Sequence, residues 1–306
     1  MNKQSRREGV LGVHSLDHFS LDVTDLAEAR RFFEAFGLEV KSRSGGLDLL
    51  AFGNSHVWVE LNSGIQKRLD RITFGAFADD MAAFRDRLVR LGVPFTETRE
   101  PNSLWLTDPH GIGLEIRAAP KTSPDGRIEQ TETAPRGLRG AVMRDQVSQV
   151  RPRRLSHALF FTPDIDATIL FYCDVLGLRV SDHPGPVAFL HGVHGSDHHL
   201  IAFAQSTAAG YHHCAWEVGS IEEVGLGAFQ MSQAGYTRGW GVGRHVLGSN
   251  YFHYVRDPWG SFAEYSFDID YIPADIDWEA GRPSPENSFF LWGPLPPDDF
   301  VANGEG

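Results

Sequence analysis

The chain has almost no cysteine. Only Cys173 and Cys214 occur among its 306 residues. That excludes a disulfide-stapled fold and makes a reducing cytoplasm the expected location. Positive charge is also in deficit: 28 Lys and Arg against 40 Asp and Glu give a formal net charge of −12. An acidic chain carries no basic footprint, so neither nucleic acid nor a membrane surface is expected as a partner. No apolar run approaches the roughly 18 residues of a membrane span. Met1 to Leu16 is polar and lacks the apolar core of a secretory signal. What remains is a globular composition, 42% hydrophobic and 22% charged, long enough for two domains of roughly 150 residues each. Histidine, by contrast, is abundant: 14 residues, four before position 150 and ten after it. This skew points the search for metal or acid–base chemistry at the second half.

Two stretches read as copies of one another. Leu16-Asp17-His18-Phe19-Ser20-Leu21 leads into a helical pattern from Leu26 to Phe36 and then Gly37-Leu38-Glu39-Val40. Leu155-Ser156-His157-Ala158-Leu159-Phe160 leads likewise into Ile165 to Leu176 and Gly177-Leu178-Arg179-Val180. Asp25 and Asp164 stand where a short acidic side chain caps a helix start, and glycine stands where a helix ends. Weaker copies begin near Arg71 and His213. The terminating glycine follows its strand marker by 19, 21, 20 and 22 residues in the four copies. The second and fourth close alike, with Asp108-Pro109-His110-Gly111 before Glu115 and Asp257-Pro258-Trp259-Gly260 before Glu264. The Asp-to-Glu interval is seven in both. An Asp-Pro-x-Gly turn before an alternating segment predicts a hairpin strand. The reading is therefore α+β: four βαβββ modules paired into two open-barrel domains.

The expected domains are 16–118 and 154–270. Between them, residues 119–153 hold Pro120, Pro124, Pro135 and Pro152 with few large apolar side chains, the composition of a linker. The end, 271–306, carries six prolines with Trp278, Phe289, Phe290, Trp292 and Phe300. So many aromatics predict a tail packed over a domain surface.

In the second pair, His157 and His213 fall on the first strands of modules three and four, and Glu264 on the last. Two imidazoles and a carboxylate arriving from three strands form a facial triad, which holds a divalent metal and leaves coordination positions open. Strand alternation predicts that only one ring of His212-His213 points inward. Module equivalence selects His213, opposite Arg71. In the first pair, His18 and Glu115 match His157 and Glu264, but Arg71 holds the middle position. A guanidinium has no lone pair to offer a cation, so this domain is expected to be metal-free and structural, with His18, Arg71 and Glu115 forming a buried ionic cluster. Cys214 reads as a small packed hydrophobe. Gly239-Trp240-Gly241-Val242-Gly243 reads as a loop beside the site. His183, His191 and His194 are expected in a solvated loop.

Beyond the triad, Gly243-Arg244-His245, Ser249-Asn250-Tyr251-Phe252-His253-Tyr254, Asp257-Pro258-Trp259-Gly260 and Glu264 carry a further pattern. With these spacings the chain resembles the type I extradiol ring-cleavage dioxygenases of the vicinal oxygen chelate superfamily, the catechol 2,3-dioxygenase-like enzymes, over residues 16 to 270. One departure is His253, where an apolar residue usually precedes the tyrosine. The resemblance implies the glyoxalase/extradiol dioxygenase fold and an iron-dependent enzyme of aromatic catabolism. Its partners would be a catechol-type diol and O2, its metal Fe(II) with Mn(II) also suited, and its assembly a homo-oligomer. It further implies that His157, His213 and Glu264 bind the metal, that His245 and Tyr254 hydrogen-bond substrate oxygens, and that His199 moves a proton, with His198 as the alternative. A metal-dependent glyoxalase or epimerase-type isomerase, or a non-catalytic small-molecule binder of the same fold, remains the competing expectation.

Overall fold

The computed structural model describes residues 5–99, 102–129 and 134–305. Residues 1–4 of the leading segment, 100–101, 130–133 of the expected linker and 306 of the expected tail lie outside the described residues.

Each repeat forms a βαβββ unit. The first is β1 (Ser15–Val23), α1 (Leu26–Phe36), β2 (Glu39–Arg43), β3 (Gly46–Leu50) and β4 (Val57–Ser63). The second is β5 (Arg68–Ala76), α2 (Met81–Leu91), β6 (Phe95–Thr98), β7 (Ser103–Thr107) and β8 (Gly113–Ala118). The third is β9 (Arg154–Thr162), α3 (Ile165–Leu176), β10 (Arg179–Asp182), β11 (Val187–His191), the two-residue β12 (Ser196–Asp197) and β13 (Ile201–Gln205). The fourth is β14 (Gly210–Glu217), α4 (Ile221–Gln233), β15 (Gly239–Arg244), β16 (Tyr251–Arg256) and β17 (Phe262–Phe267). A last strand, β18 (Tyr271–Ile272), pairs with β12.

The helices begin and end for local reasons. Asp25 accepts hydrogen bonds from the Ala27 and Glu28 amides, both at 2.9 Å, and Asp164 accepts from Ala167 at 3.0 Å. Gly37 and Gly177 close α1 and α3 with φ of +103° and +74°, a conformation glycine adopts without steric cost. Each also admits a crossing chain. A Cβ on Gly37 would stand 2.1 Å from the Val150 carbonyl oxygen, and one on Gly177 2.4 Å from that of Leu11. Along α1, Ala29, Phe32, Phe33 and Phe36 are buried, the spacing of one helical face. Each buried ring contributes on the order of 2 kcal/mol of apolar transfer free energy.

Two open eight-stranded sheets result, β2-β3-β4-β1-β5-β8-β7-β6 and β10-β11-β13-β9-β14-β17-β16-β15. In every module the first and last strands run parallel, and antiparallel β1–β5 and β9–β14 pairs join the modules at the centre. In the second half the largely buried strands β9, β14 and β17 thus lie side by side. One apolar core runs through both halves. Phe36 stacks on Tyr265 at 3.9 Å, and the Tyr265 hydroxyl donates to the Phe36 carbonyl at 2.8 Å. Among the described residues no helix is long and apolar enough to cross a membrane.

Three expectations need correction here. The Gly239–Gly243 run is an edge strand, not a loop, because its backbone pairs along β16. The first half has no ionic cluster of His18, Arg71 and Glu115. Glu115 accepts from the Thr73 and Ser103 hydroxyls, His18 pairs with Asp17 at 2.7 Å, and Arg71 reaches Glu60 at 2.8 Å. A carboxylate already satisfied by two hydroxyls leaves the guanidinium free to take another partner. His191 and His194 are buried rather than solvated, because the leading segment covers His194, through Arg7 N and Gly12 O, and Ser181 backs His191.

Candidate active site

The register of the central strands gathers the triad. Ala215 of β14 stands opposite both His157 on β9 and Glu264 on β17. His213 lies two residues before Ala215, hence on the same face. His157 Nε2 and His213 Nε2 lie 3.5 and 3.4 Å from Glu264 Oε2, and one ligand atom from each residue falls within 4.8 Å of the others. All three side chains are buried. His213 Nε2 and Glu264 Oε2 have no hydrogen-bond partner. Two buried polar atoms left unsatisfied are costly, and a divalent cation is the group this two-nitrogen, one-oxygen donor set fits. The equivalent place in the first half is spent otherwise: Thr73 stands opposite both His18 and Glu115, and Arg71 replaces the second imidazole.

The neighbours orient the three side chains. Asn250 Nδ2 donates to Glu264 Oε1 at 2.9 Å and to Ser266 Oγ at 3.0 Å. Ser156 Oγ lies 3.2 Å from His157 Nδ1. His213 Nδ1 lies 2.6 Å from His212 Nδ1, and His212 Nε2 lies 2.7 Å from the Phe300 carbonyl. Burial pushes His213 and His199 well below the ordinary imidazole value, and His212 down to about 4. These rings are therefore neutral, the form that offers a lone pair.

Alternation predicted only one ring of His212-His213 at the cavity, yet both line it. The register of β14 against β9 shifts between Tyr211 and His213, and such a bulge interrupts the strict up–down order. His198 and His199 likewise lie between β12 and β13, outside both strands. Their Nδ1 atoms are 3.0 Å apart. His199 lines the cavity with its ring 4.1 Å from that of His157. His198 turns away to Asp182 at 2.8 Å and the Trp278 ring.

On the opposite wall His245 Nδ1 donates to the Phe289 carbonyl at 2.8 Å, an acceptor-only partner, so in the neutral ring Nε2 is free to accept. The Tyr254 hydroxyl donates to that Nε2 at 2.9 Å. Burial, then the Glu264 charge, raises the Tyr254 phenol well above its usual value, so the proton stays on oxygen. Trp240 stacks on Tyr254 at 5.5 Å and 14°. A cavity of about 240 Å³ opens between these groups, walled chiefly by apolar side chains such as Leu159, Phe189, Leu247, Phe289 and Phe300. From the last segment of the chain, Phe289, Phe300 and Val301 line this cavity. Cys214 packs as a buried thiol, pushed up to about 12 by burial. Sequence reasoning missed Asn250 and His212 as partners of the triad. The available signal was a polar side chain just before β16 and a doubled histidine.

Against known proteins, the sequence model described as "Glyoxalase/Bleomycin resistance protein/Dioxygenase superfamily" matches residues 15–116 and 154–265. Metapyrocatechase 2 of Cupriavidus necator is 49% identical over 298 residues, covering 96% of this chain and 93% of that protein. Homoprotocatechuate 2,3-dioxygenase from Arthrobacter globiformis superposes with a TM-score of 0.76 at 20% identity, over 99% of this chain and 95% of its own. The Mn(II)-bound glyoxalase from Novosphingobium aromaticivorans gives 0.74 at 24%, over 93% and 94%. At such identities the two structures speak to the fold alone.

Proposed function

Because the chain belongs to the glyoxalase/bleomycin resistance protein/dioxygenase superfamily, we propose that it is an extradiol dioxygenase opening the ring of a catechol-type diol with O2. The observation that carries the metal assignment is the convergence of His157 Nε2, His213 Nε2 and Glu264 Oε2, two of them buried and unpartnered. Fe(II) is the cation assigned, and Mn(II) suits the same donors. When bound, the metal supplies Lewis acidity to the diol and a meeting point for diol and O2.

The chain's own residues do the rest. The apolar wall admits a flat aromatic ring and excludes water, which strengthens every polar contact inside. His199, neutral and against the His157 ring, takes a proton from the diol and returns it as the ring opens. The Tyr254 hydroxyl donates to His245 Nε2 at 2.9 Å; turned from that bond it hydrogen-bonds a substrate oxygen, and the freed His245 Nε2 accepts from a diol hydroxyl. The chemistry is assigned to 154–270, with 16–118 as structural support, a reading favoured by Arg71 in the place of His213. Two free thiols, Cys173 and Cys214, suit a reducing cytoplasm, and a homo-oligomeric assembly is assigned from the family resemblance.

Oxygen consumption against a panel of substituted catechols, with Fe(II) or Mn(II) supplied, tests the reading. Ring-opened product with stoichiometric O2 uptake is expected. His157→Ala, His213→Ala and Glu264→Ala should lose metal, whereas His199→Phe should keep it and turn over slowly. Full metal content in the first three would sink the ligand assignment, and absence of O2 uptake would sink the dioxygenase reading in favour of an isomerase or a binder.

A further inference from the structure

The second half carries two histidine doublets, His198-His199 and His212-His213, and strand alternation left one ring of the latter without a role. At His212-His213 the missing role can be read from the hydrogen bonds. The Phe300 carbonyl can only accept, so His212 must place its proton on Nε2, 2.7 Å away. In the neutral ring His212 Nδ1 is then a lone pair, and the partner 2.6 Å from it, His213 Nδ1, must be the donor. With its proton committed there, His213 has its lone pair on Nε2, which points to Glu264 Oε2 at 3.4 Å. We propose that His212 is a positioning residue for the metal site: it relays the acceptor character of the Phe300 carbonyl to His213 and locks that ring in the one tautomer able to bind a cation.

The relay ties the tail to the metal centre. The Phe300 side chain is 5% exposed, held against His212, Tyr254, Trp240 and Phe262 with ring centroids 4.8 to 5.0 Å apart. That packing fixes where its carbonyl points. The bulge before His213 brings both rings to one side, and without it the two Nδ1 atoms could not meet. A ligand ring already in the right tautomer and orientation loses less freedom on binding, which is the general effect of groups that hold metal-ligating histidines.

The inference rests on the metal-site reading above, so its test separates the two. The wild type, His212→Leu, His212→Asn and Phe300→Ala are compared by Fe(II) and Mn(II) dissociation constants and, in the metal-free proteins, by 15N–1H imidazole spectra that report which ring nitrogen carries the proton. In the wild type, His213 should show its proton on Nδ1. His212→Leu removes the acceptor and should weaken metal binding roughly ten- to a hundredfold, with His213 losing that single tautomer. His212→Asn, whose amide oxygen can accept, should restore most of the affinity. Phe300→Ala should weaken binding several-fold although it removes no donor. Metal affinity within twofold of wild type in His212→Leu, a wild-type proton on His213 Nε2, or failure of His212→Asn to outperform His212→Leu would each overturn the proposal. No metal binding by the wild type would overturn the metal-site reading instead, leaving the proton positions to be judged by the spectra.

Discussion

Acid is expected to unfold this protein through histidines that have nothing to do with catalysis. His14 and His191 are buried, and that burial lowers them to about 4 and about 3, helped for His14 by Lys121 and for His191 by His198. In the unfolded chain both titrate near 6.5. Their folded values lie below the unfolded one. The stabilisation from burying them neutral is therefore complete above about 6.5 and is lost as the pH falls toward 4. Each unit of that fall costs about 1.4 kcal/mol per group. Between pH 7 and pH 5 each ring thus forfeits about 2 kcal/mol, and the pair about 4 kcal/mol, against a total stability on the order of 5–15 kcal/mol. His194 and His253, each lowered to about 4, act in the same direction. The assay is urea denaturation of the metal-free protein at pH 7, 6 and 5. His191→Asn is the control, since its amide can still donate to Ser181 Oγ, 2.8 Å from His191 Nδ1, yet cannot titrate. The variant should lose about 2 kcal/mol less than wild type over the same interval. A wild-type midpoint that stays level from pH 7 to pH 5, or a variant with the wild-type slope, would refute the neutral burial of these rings.

Two further outcomes are expected. Arg154 lies between Asp197, at 2.7 Å, and Glu217, all three largely buried. Arg154→Met strands two carboxylates and should cost about 3–5 kcal/mol by thermal or denaturant unfolding; a loss below 1 kcal/mol would mean that water reaches the pair. Asn250→Ala removes the donor to Glu264 Oε1 and should weaken metal binding on the order of tenfold, measured by metal titration, with little change in unfolding midpoint.

The modules were legible because their signals are local. Asp25 and Asp164 mark helix starts, Gly37 and Gly177 mark ends, and period-two alternation marks the strands between. The triad was legible for the same reason, since equal spacing from Asp-Pro-x-Gly turns puts Glu115 and Glu264 at one strand position. The failures were equally specific. Alternation excluded His212 from the cavity, but one bulge in β14 reversed that. Arg71 was assigned to Glu115, yet two nearby hydroxyls had already satisfied that carboxylate. His191 and His194 looked solvated because nothing in their own neighbourhood says that the leading segment and Ser181 will close over them.

By itself, then, the sequence determined which strand carries each candidate ligand and which half lacks one, because the caps and turns that delimit a strand are set by residues within a few positions of it. Tertiary structure alone decided which nitrogen of each ring is free. That choice comes from carbonyls far along the chain, Phe300 for His212 and Phe289 for His245, 88 and 44 residues away. Hydrogen-bond acceptors act only at contact distance, so no local pattern could reveal them before the tail had folded across the site.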